Sequence, residues 1–182
     1  VLLSLNILKK DDVLLFENFK GKFDFNNTKI RYMDSMPVIE NIYGFAKIKN
    51  SEIIFTINSG QSQGLNIKNG IVKLKDLDSD FENANVFLEI FSSNQDVINY
   101  LDTSPINKKN FSKLRNIIGD TKIDLNLKFP LLVDLPTERI IYDSNVAIVD
   151  STFQDIFDNH DLNDFYLNIQ INNSKVLYNG GG

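Results

Sequence analysis

Cysteine is missing from this chain of 182 residues, and histidine occurs once, as His160. Thiol nucleophiles, thiolate metal sites, disulfides and multi-histidine centres are therefore excluded. The absence of cysteine leaves the compartment open, because cytosolic and periplasmic proteins alike can do without it. No apolar run approaches the roughly 18 to 20 residues that span a bilayer. The opening Val1 to Leu8 is too short for a signal peptide and has no basic flank. Basic residues are also in deficit, 19 Lys and Arg against 24 Asp and Glu, for a net charge of −5. Binding to a phosphate backbone needs a concentrated cationic excess, so nucleic acid is not an expected partner. Proline is scarce, at 4 residues.

What is present is ordinary globular material, 42% hydrophobic and 24% charged, with 14 Phe and with Asn and Ile each above a tenth of the chain. That mixture favours strands joined by Asn and Gly turns. The length suits one domain, or a segment of something longer. A start without Met and an end at Gly180-Gly181-Gly182 suggest the latter, with any anchor outside it.

The dominant pattern is alternation with a period of two, which sends every second side chain to one face of a sheet. Ile123-Asp124-Leu125-Asn126-Leu127-Lys128-Phe129 is the cleanest run, Leu167-Asn168-Ile169-Gln170-Ile171-Asn172 repeats it, and Phe23-Asp24-Phe25 is a short version. Leu65 to Lys68 and Ile71 to Lys75 flank Asn69-Gly70, the preferred two-residue hairpin dipeptide, and so are expected to form a hairpin. Further strands are expected over Lys29 to Met33, Gly44 to Lys49, Glu52 to Asn58, Asn85 to Phe91 and Glu138 to Val149. The stretches Ile48 to Leu74 and Ile140 to Ile171 share a loose strand-connection-strand likeness, without a fixed period. Two short helices interrupt the pattern. One places Val97, Ile98 and Leu101 after Ser93-Asn94-Gln95-Asp96; the other runs from Asn110 as N-cap through Phe111, Leu114, Ile117 and Ile118 to Gly119 at C′.

Candidate chemistry is thin. His160 in Asp158-Asn159-His160-Asp161 reads as a turn residue, because no serine or carboxylate is marked out as its partner. Asp76, Asp78 and Asp80 alternate like the start of a calcium loop, but Phe81 stands where the sixth-position Gly belongs and Phe87 where the twelfth-position Glu belongs. A solvated turn is expected there. Ser59-Gly60-Gln61-Ser62-Gln63-Gly64 lacks the Lys-Ser/Thr ending of a phosphate loop and reads as a flexible turn. Lys9, Lys10, Lys108, Lys109 and Lys113 read as solvated surface, with contact to anionic headgroups the weaker alternative. The reading is therefore of a non-enzyme with no cofactor and no metal.

Several weak features in order resemble one family. Phe19-Lys20-Gly21-Lys22-Phe23-Asp24-Phe25 leads to Ile30-Arg31-Tyr32 and Met36-Pro37-Val38-Ile39-Glu40-Asn41-Ile42-Tyr43-Gly44. Ser59-Gly60, Gly64, Gly70 and Lys75-Asp76-Leu77 follow, then Val97, Leu101, Ser104-Pro105, Gly119 and Leu125-Asn126-Leu127-Lys128-Phe129-Pro130-Leu131. In their order and spacing they resemble the YhdP-like branch of the AsmA-like bacterial envelope proteins. The resemblance implies a periplasmic segment of a long protein anchored in the inner membrane. Such a protein carries phospholipid along an apolar β-groove towards the outer membrane, in the manner of bridge-like lipid transfer proteins. It also implies phospholipid acyl chains and neighbouring β segments of the same full-length chain as partners, with membrane contact made through parts outside this sequence.

The expected fold is mainly β: a strongly twisted, curved antiparallel meander forming a groove, with a short helical pair at about 94–118. Residues 1–92 would form a first meander, 93–119 the helical insert and 120–182 a second meander. The groove or core face is expected to carry Phe55, Ile57, Ile67, Leu74, Leu88, Ile90, Leu125, Leu127, Leu167 and Ile169. The alternative is a structural or interaction module of the envelope, in which the same face is the filled core of a β-sandwich.

Overall fold

The computed structural model describes residues 2–10, 13–32, 36–103, 116–157 and 160–181. Ten strands follow one another in chain order across a single sheet: β1 (Leu2–Lys10), β2 (Val13–Ile30), β3 (Ile39–Lys49), β4 (Glu52–Ser62), β5 (Leu65–Lys75), β6 (Asn83–Ser93), β7 (Ile117–Pro130), β8 (Ile141–Phe157), β9 (His160–Asn172) and β10 (Val176–Gly181). Every neighbouring pair is antiparallel. The sheet is open, with β1 and β10 as its two edges. The protein is thus the mainly-β meander expected from the alternation. β6 and β7 pair from Asn83↔Pro130 to Ser93↔Asp120, so the helical insert interrupts the connection and leaves the sheet continuous.

Registers align side chains into rows across the strands. One row reads Phe23, Ala46, Phe55, Val72, Val86, Leu127, Tyr142; the next reads Phe25, Gly44, Ile57, Gly70, Leu88, Leu125, Ser144, Ile171. Across β2 to β4 a small residue on β3, Ala46 or Gly44, stands between large ones in both rows, and this lets side chains two strands apart meet. Phe23 and Phe25 on β2 each bring their ring centroid to 6.3 Å from Phe55 on β4, closer than the roughly 9.6 Å that two strand spacings impose on a flat sheet. The rings converge above Ala46 and Gly44, both buried.

Bulges bend the strands mostly towards one end of the sheet. Register shifts fall between Phe25 and Thr28, Tyr43 and Gly44, Ile67 and Asn69, Ile118 and Asp120, and Ile148 and Ser151. These lie on the same side of the Phe25–Gly44 row, and the shift between Asn6 and Ile7 lies on the other. Bulged strands carry extra twist and bend, and a belt of them curves the sheet. Within strands, Asn27, Asn41, Asp150, Asp155 and Asp164 adopt positive φ, a conformation that Asn and Asp tolerate better than other side chains. The richness in Asn therefore serves irregularities inside strands as well as turns.

Helix α1 (Asn94–Thr103) lies at the bulged end, against β5, β6 and β7. Ser93 caps it: its Oγ accepts the Asp96 backbone N–H at 3.1 Å and donates to the Asp96 carboxylate at 2.6 Å, leaving fewer orphan amides in the first turn. Asn94, 3% exposed, donates from Nδ2 to the Ile117 carbonyl at 2.9 Å and accepts from Thr121 Oγ1 at 3.3 Å. This buried pair ties the helix start to β7. The first expected helix is therefore present.

Several expectations need correction. Asn69-Gly70 is not a turn: both residues lie inside the continuous β5, and neither has positive φ, which a type I′ turn requires at both positions. Gly70 is needed for space, since a Cβ there would stand 2.6 Å from Leu88 Cδ2. The turn between β4 and β5 is Gln63-Gly64, with φ of 44° and 89°. The flexible turn expected over Ser59 to Gly64 is likewise strand β4 as far as Ser62. In the second expected helix, residues 104–115 lie outside the described residues, but Ile117, Ile118 and Gly119 belong to β7. Gly119 is no C′ residue; it sits in the bulge facing Ser151, where a Cβ would collide with the serine side chain. The strand expected over Lys29 to Met33 ends at Ile30, and Glu138 falls in a single 3-10 turn (Thr137–Arg139) before β8 begins.

Candidate functional site

All ten candidate residues lie on the apolar face of the sheet, where the registers place Phe55 and Leu127 in one row, Ile57, Leu88 and Leu125 in the next, and Ile67, Ile90 and Ile169 in a third. Leu74 and Leu167 occupy the flanking rows. The face is not uniform. Ile57, Ile67, Leu88 and Ile90 are buried, at 4–9% exposure, in a cluster with Ile42 and Leu65. Val97 and Tyr100 of α1 pack on that cluster from the helix side. Phe55, Leu74, Leu125, Leu127, Leu167 and Ile169 are half-buried. Towards the β10 edge the face emerges into solvent, with Val176 56% and Tyr178 80% exposed.

Sequence reasoning missed Ile42 and Ala46, among the most buried residues of this face. The alternation Ile42-Gly44-Ala46-Ile48 was available as a signal, but small residues in two of its four positions weakened it. The β2–β3 connection also contributes. Tyr32, just past β2, hydrogen-bonds through its hydroxyl to that of Tyr100 at 2.8 Å, so the far end of β2 meets the helix that follows β6. Burial and this bond push the Tyr32 phenol well above its ordinary pKa. Together these contacts close the α1 end of the apolar face between β2 and β6.

The opposite face is mostly polar, with Phe45, Ile71, Phe87 and Phe91 set among its charged and amide side chains, and it carries the ion pairs. Lys122 Nζ lies 3.2 Å from Glu89 and 3.8 Å from Asp124, and Glu89 also accepts from Asn69 Nδ2. The Asn69 bond and the ammonium hold the Glu89 carboxyl below the usual range, while Glu89 and Asp124 raise Lys122. Lys29 lies 2.9 Å from Glu40 and lowers that carboxyl in the same way. Two shallow cavities, of about 440 and 290 Å³, open on this polar face, the first over β7 to β10 and the second over β3 to β5.

The remaining candidates stay apart. His160 opens β9, exposed, and is strand rather than turn. Asp76, Asp78 and Asp80 occupy the exposed β5–β6 connection, where Asp76 accepts from Asn83 Nδ2 at 2.7 Å. No group of three His, Cys, Asp or Glu suited to a metal occurs among the described residues. The lysine side chains at 9, 10, 108, 109 and 113 lie outside what is described. No described helix is long and apolar enough to cross a membrane. No family model matches the chain, and neither curated proteins nor solved structures give a match.

Proposed function

We propose that the apolar face binds phospholipid acyl chains, and that the chain is a periplasmic segment of a longer, inner-membrane-anchored β-groove protein of the AsmA-like kind that passes lipid towards the outer membrane. The observation that carries this reading is the half-buried apolar surface of β7 to β9, around Leu125, Leu127, Leu167 and Ile169, with no second sheet over it among the described residues. An acyl chain leaving water for such a surface gains about 0.8 kcal/mol per buried CH₂. Nine strand spacings extend roughly 43 Å, so the segment would supply one stretch of a longer path and no covalent chemistry.

A second reading has its own support. The face between β3 and β6 is filled by Ile42, Ile57, Ile67 and Leu88 beneath α1, and both cavities open on the other side. This favours a structural module of the envelope with a closed core. Lipid loading separates the two. The folded protein, incubated with phosphatidylethanolamine and phosphatidylglycerol vesicles, re-isolated and analysed by native mass spectrometry, should carry lipid. Leu125→Glu should abolish loading, because an unpaired charge in an apolar lining costs several kcal/mol, and Leu125→Ala should retain it. Folded wild type without lipid would favour the structural module. Ile67 is unsuited to this test, since at 4% exposure a charge there would disrupt the core.

A further inference from the structure

The larger cavity on the polar face has a composition unlike the rest of the surface. Its floor is Ala147 on β8, which lies in register between Lys122 on β7 and Asn168 on β9, with Asn179 next on β10. A methyl group among long side chains leaves a dent. Asn145 and Gln170 stand in the adjacent row, and Leu177 closes it. Among the described residues, Asn145, Asn168, Gln170 and Asn179 have no side-chain hydrogen bond to the protein, so four amides present donors and acceptors to whatever occupies the dent.

Two further features restrict the occupant. The one cation, Lys122, is already held by Glu89 and Asp124, so the site offers no unsatisfied positive charge to a phosphate or carboxylate. Beside the Asn168–Asn179 pair, Tyr166 faces the same side of β9 at 45% exposure, and its ring lies over Gly181, where a Cβ would come within 3.2–3.4 Å of it. Gly181 makes room for the ring on the open face. The site therefore combines planar amide groups, the apolar side chain of Leu177 and no free cation, with an exposed aromatic ring beyond its rim.

We propose that this cavity over β7 to β10 is a binding site for a neutral saccharide. A saccharide of two or three pyranose units reaches across it, since the Tyr166–Gly181 and Gln170–Leu177 rows stand roughly 13 Å apart along β9: its hydroxyls both donate and accept, matching the amides, while the C–H faces of its end units rest on Tyr166 and Leu177. A peptide strand would instead use the β10 edge and leave the amides of the face idle. Its amide side chains point away from the acyl-binding face, although Val146, Ile169 and Tyr178, which also line it, belong to a row of that face.

Titration of the isotopically labelled chain with maltotriose, cellotriose and chitotriose, followed by backbone and amide NMR shifts, tests it. One of these should bind saturably at millimolar strength, with shifts centred on Ala147, Asn168, Gln170 and Asn179. Ala147→Phe fills the dent without touching the core and should abolish binding. Asn168→Ala with Gln170→Ala should weaken it at least about tenfold, the loss of two hydrogen bonds of ordinary net worth. Inorganic phosphate and a neutral peptide are the controls. Absence of saturable shifts with all three sugars, binding that survives Ala147→Phe in a protein with wild-type spectra elsewhere, or tighter binding of phosphate than of any sugar would each overturn the proposal.

Discussion

Replacing Gly44 by Ala probes the packing that curves this sheet. Gly44 lies on β3 between Phe25 and Ile57, and a Cβ built there collides with the Thr56 backbone carbonyl and stands 2.7 and 2.8 Å from the Phe25 ring. The ring can turn aside; the carbonyl belongs to the strand paired with β3 and moves only if the sheet does. Overpacking of this kind costs about 1–3 kcal/mol, with a backbone collision at the upper end. The reduced freedom of Ala in the unfolded chain returns about 0.4–1 kcal/mol. The net expectation is a loss of about 2–2.5 kcal/mol, or roughly 4–10 °C in melting temperature for a chain of this size. Thermal melts followed by far-UV circular dichroism read this directly. Adding Phe25→Leu should recover only part of the loss, because it relieves the ring contact and not the carbonyl. A Gly44→Ala protein melting within about 1 °C of wild type would refute the account of how β2, β3 and β4 converge.

Gly60→Ala should have the opposite sign: Gly60 is buried, but a Cβ there meets Ile42, Ile67 and Ile39 at 3.5–3.7 Å, ordinary contact, so stability should rise by about 0.4–1 kcal/mol in urea titrations. Asn94→Leu strands the buried Ile117 carbonyl and the Thr121 hydroxyl without their partner, and should cost about 2–4 kcal/mol, measured by the same titration. The Glu89 carboxyl is held below its unfolded pKa by Asn69 and Lys122, so its stabilising contribution is complete above that unfolded value and fades as pH falls through the folded one. Glu89→Gln should therefore flatten the acid limb of the pH–stability profile by lowering the neutral plateau, with stability at acid pH nearly unchanged.

The apolar face was legible in the sequence because alternation is a property of the strand itself. Leu125, Leu127, Leu167 and Ile169 stand in the longest alternating runs, and every candidate drawn from such runs lies on the common face. What the sequence obscured depends on neighbours. Asn69-Gly70 carries the composition of a hairpin turn, yet the glycine is required by Leu88 on the adjacent strand, and no local rule registers that demand. The edge strands β1 and β10 were overlooked because neither alternates: Leu2-Leu3-Ser4-Leu5 and Val176-Leu177-Tyr178 set apolar residues side by side in the sequence. Gly119 was read as a helix stop; its φ of 154° does favour glycine, but it serves a bulge in β7 against Ser151, a neighbour the local sequence does not reveal. The polar-face cavity escaped notice because its amides come from three different strands, and in so Asn-rich a chain no single one stands out.

The central claim, that acyl chains rest on the apolar face, is tested most directly by photo-crosslinking in cells from paired positions one residue apart. A photoreactive residue at Leu125 or Ile169 should yield phospholipid adducts detectable by mass spectrometry. The same residue at Asn126 or Gln170, on the opposite face of the same strands, should not. Equal labelling of both pairs, or no lipid adduct at Leu125 and Ile169 in a correctly folded protein, would contradict the account and leave the closed structural module in its place.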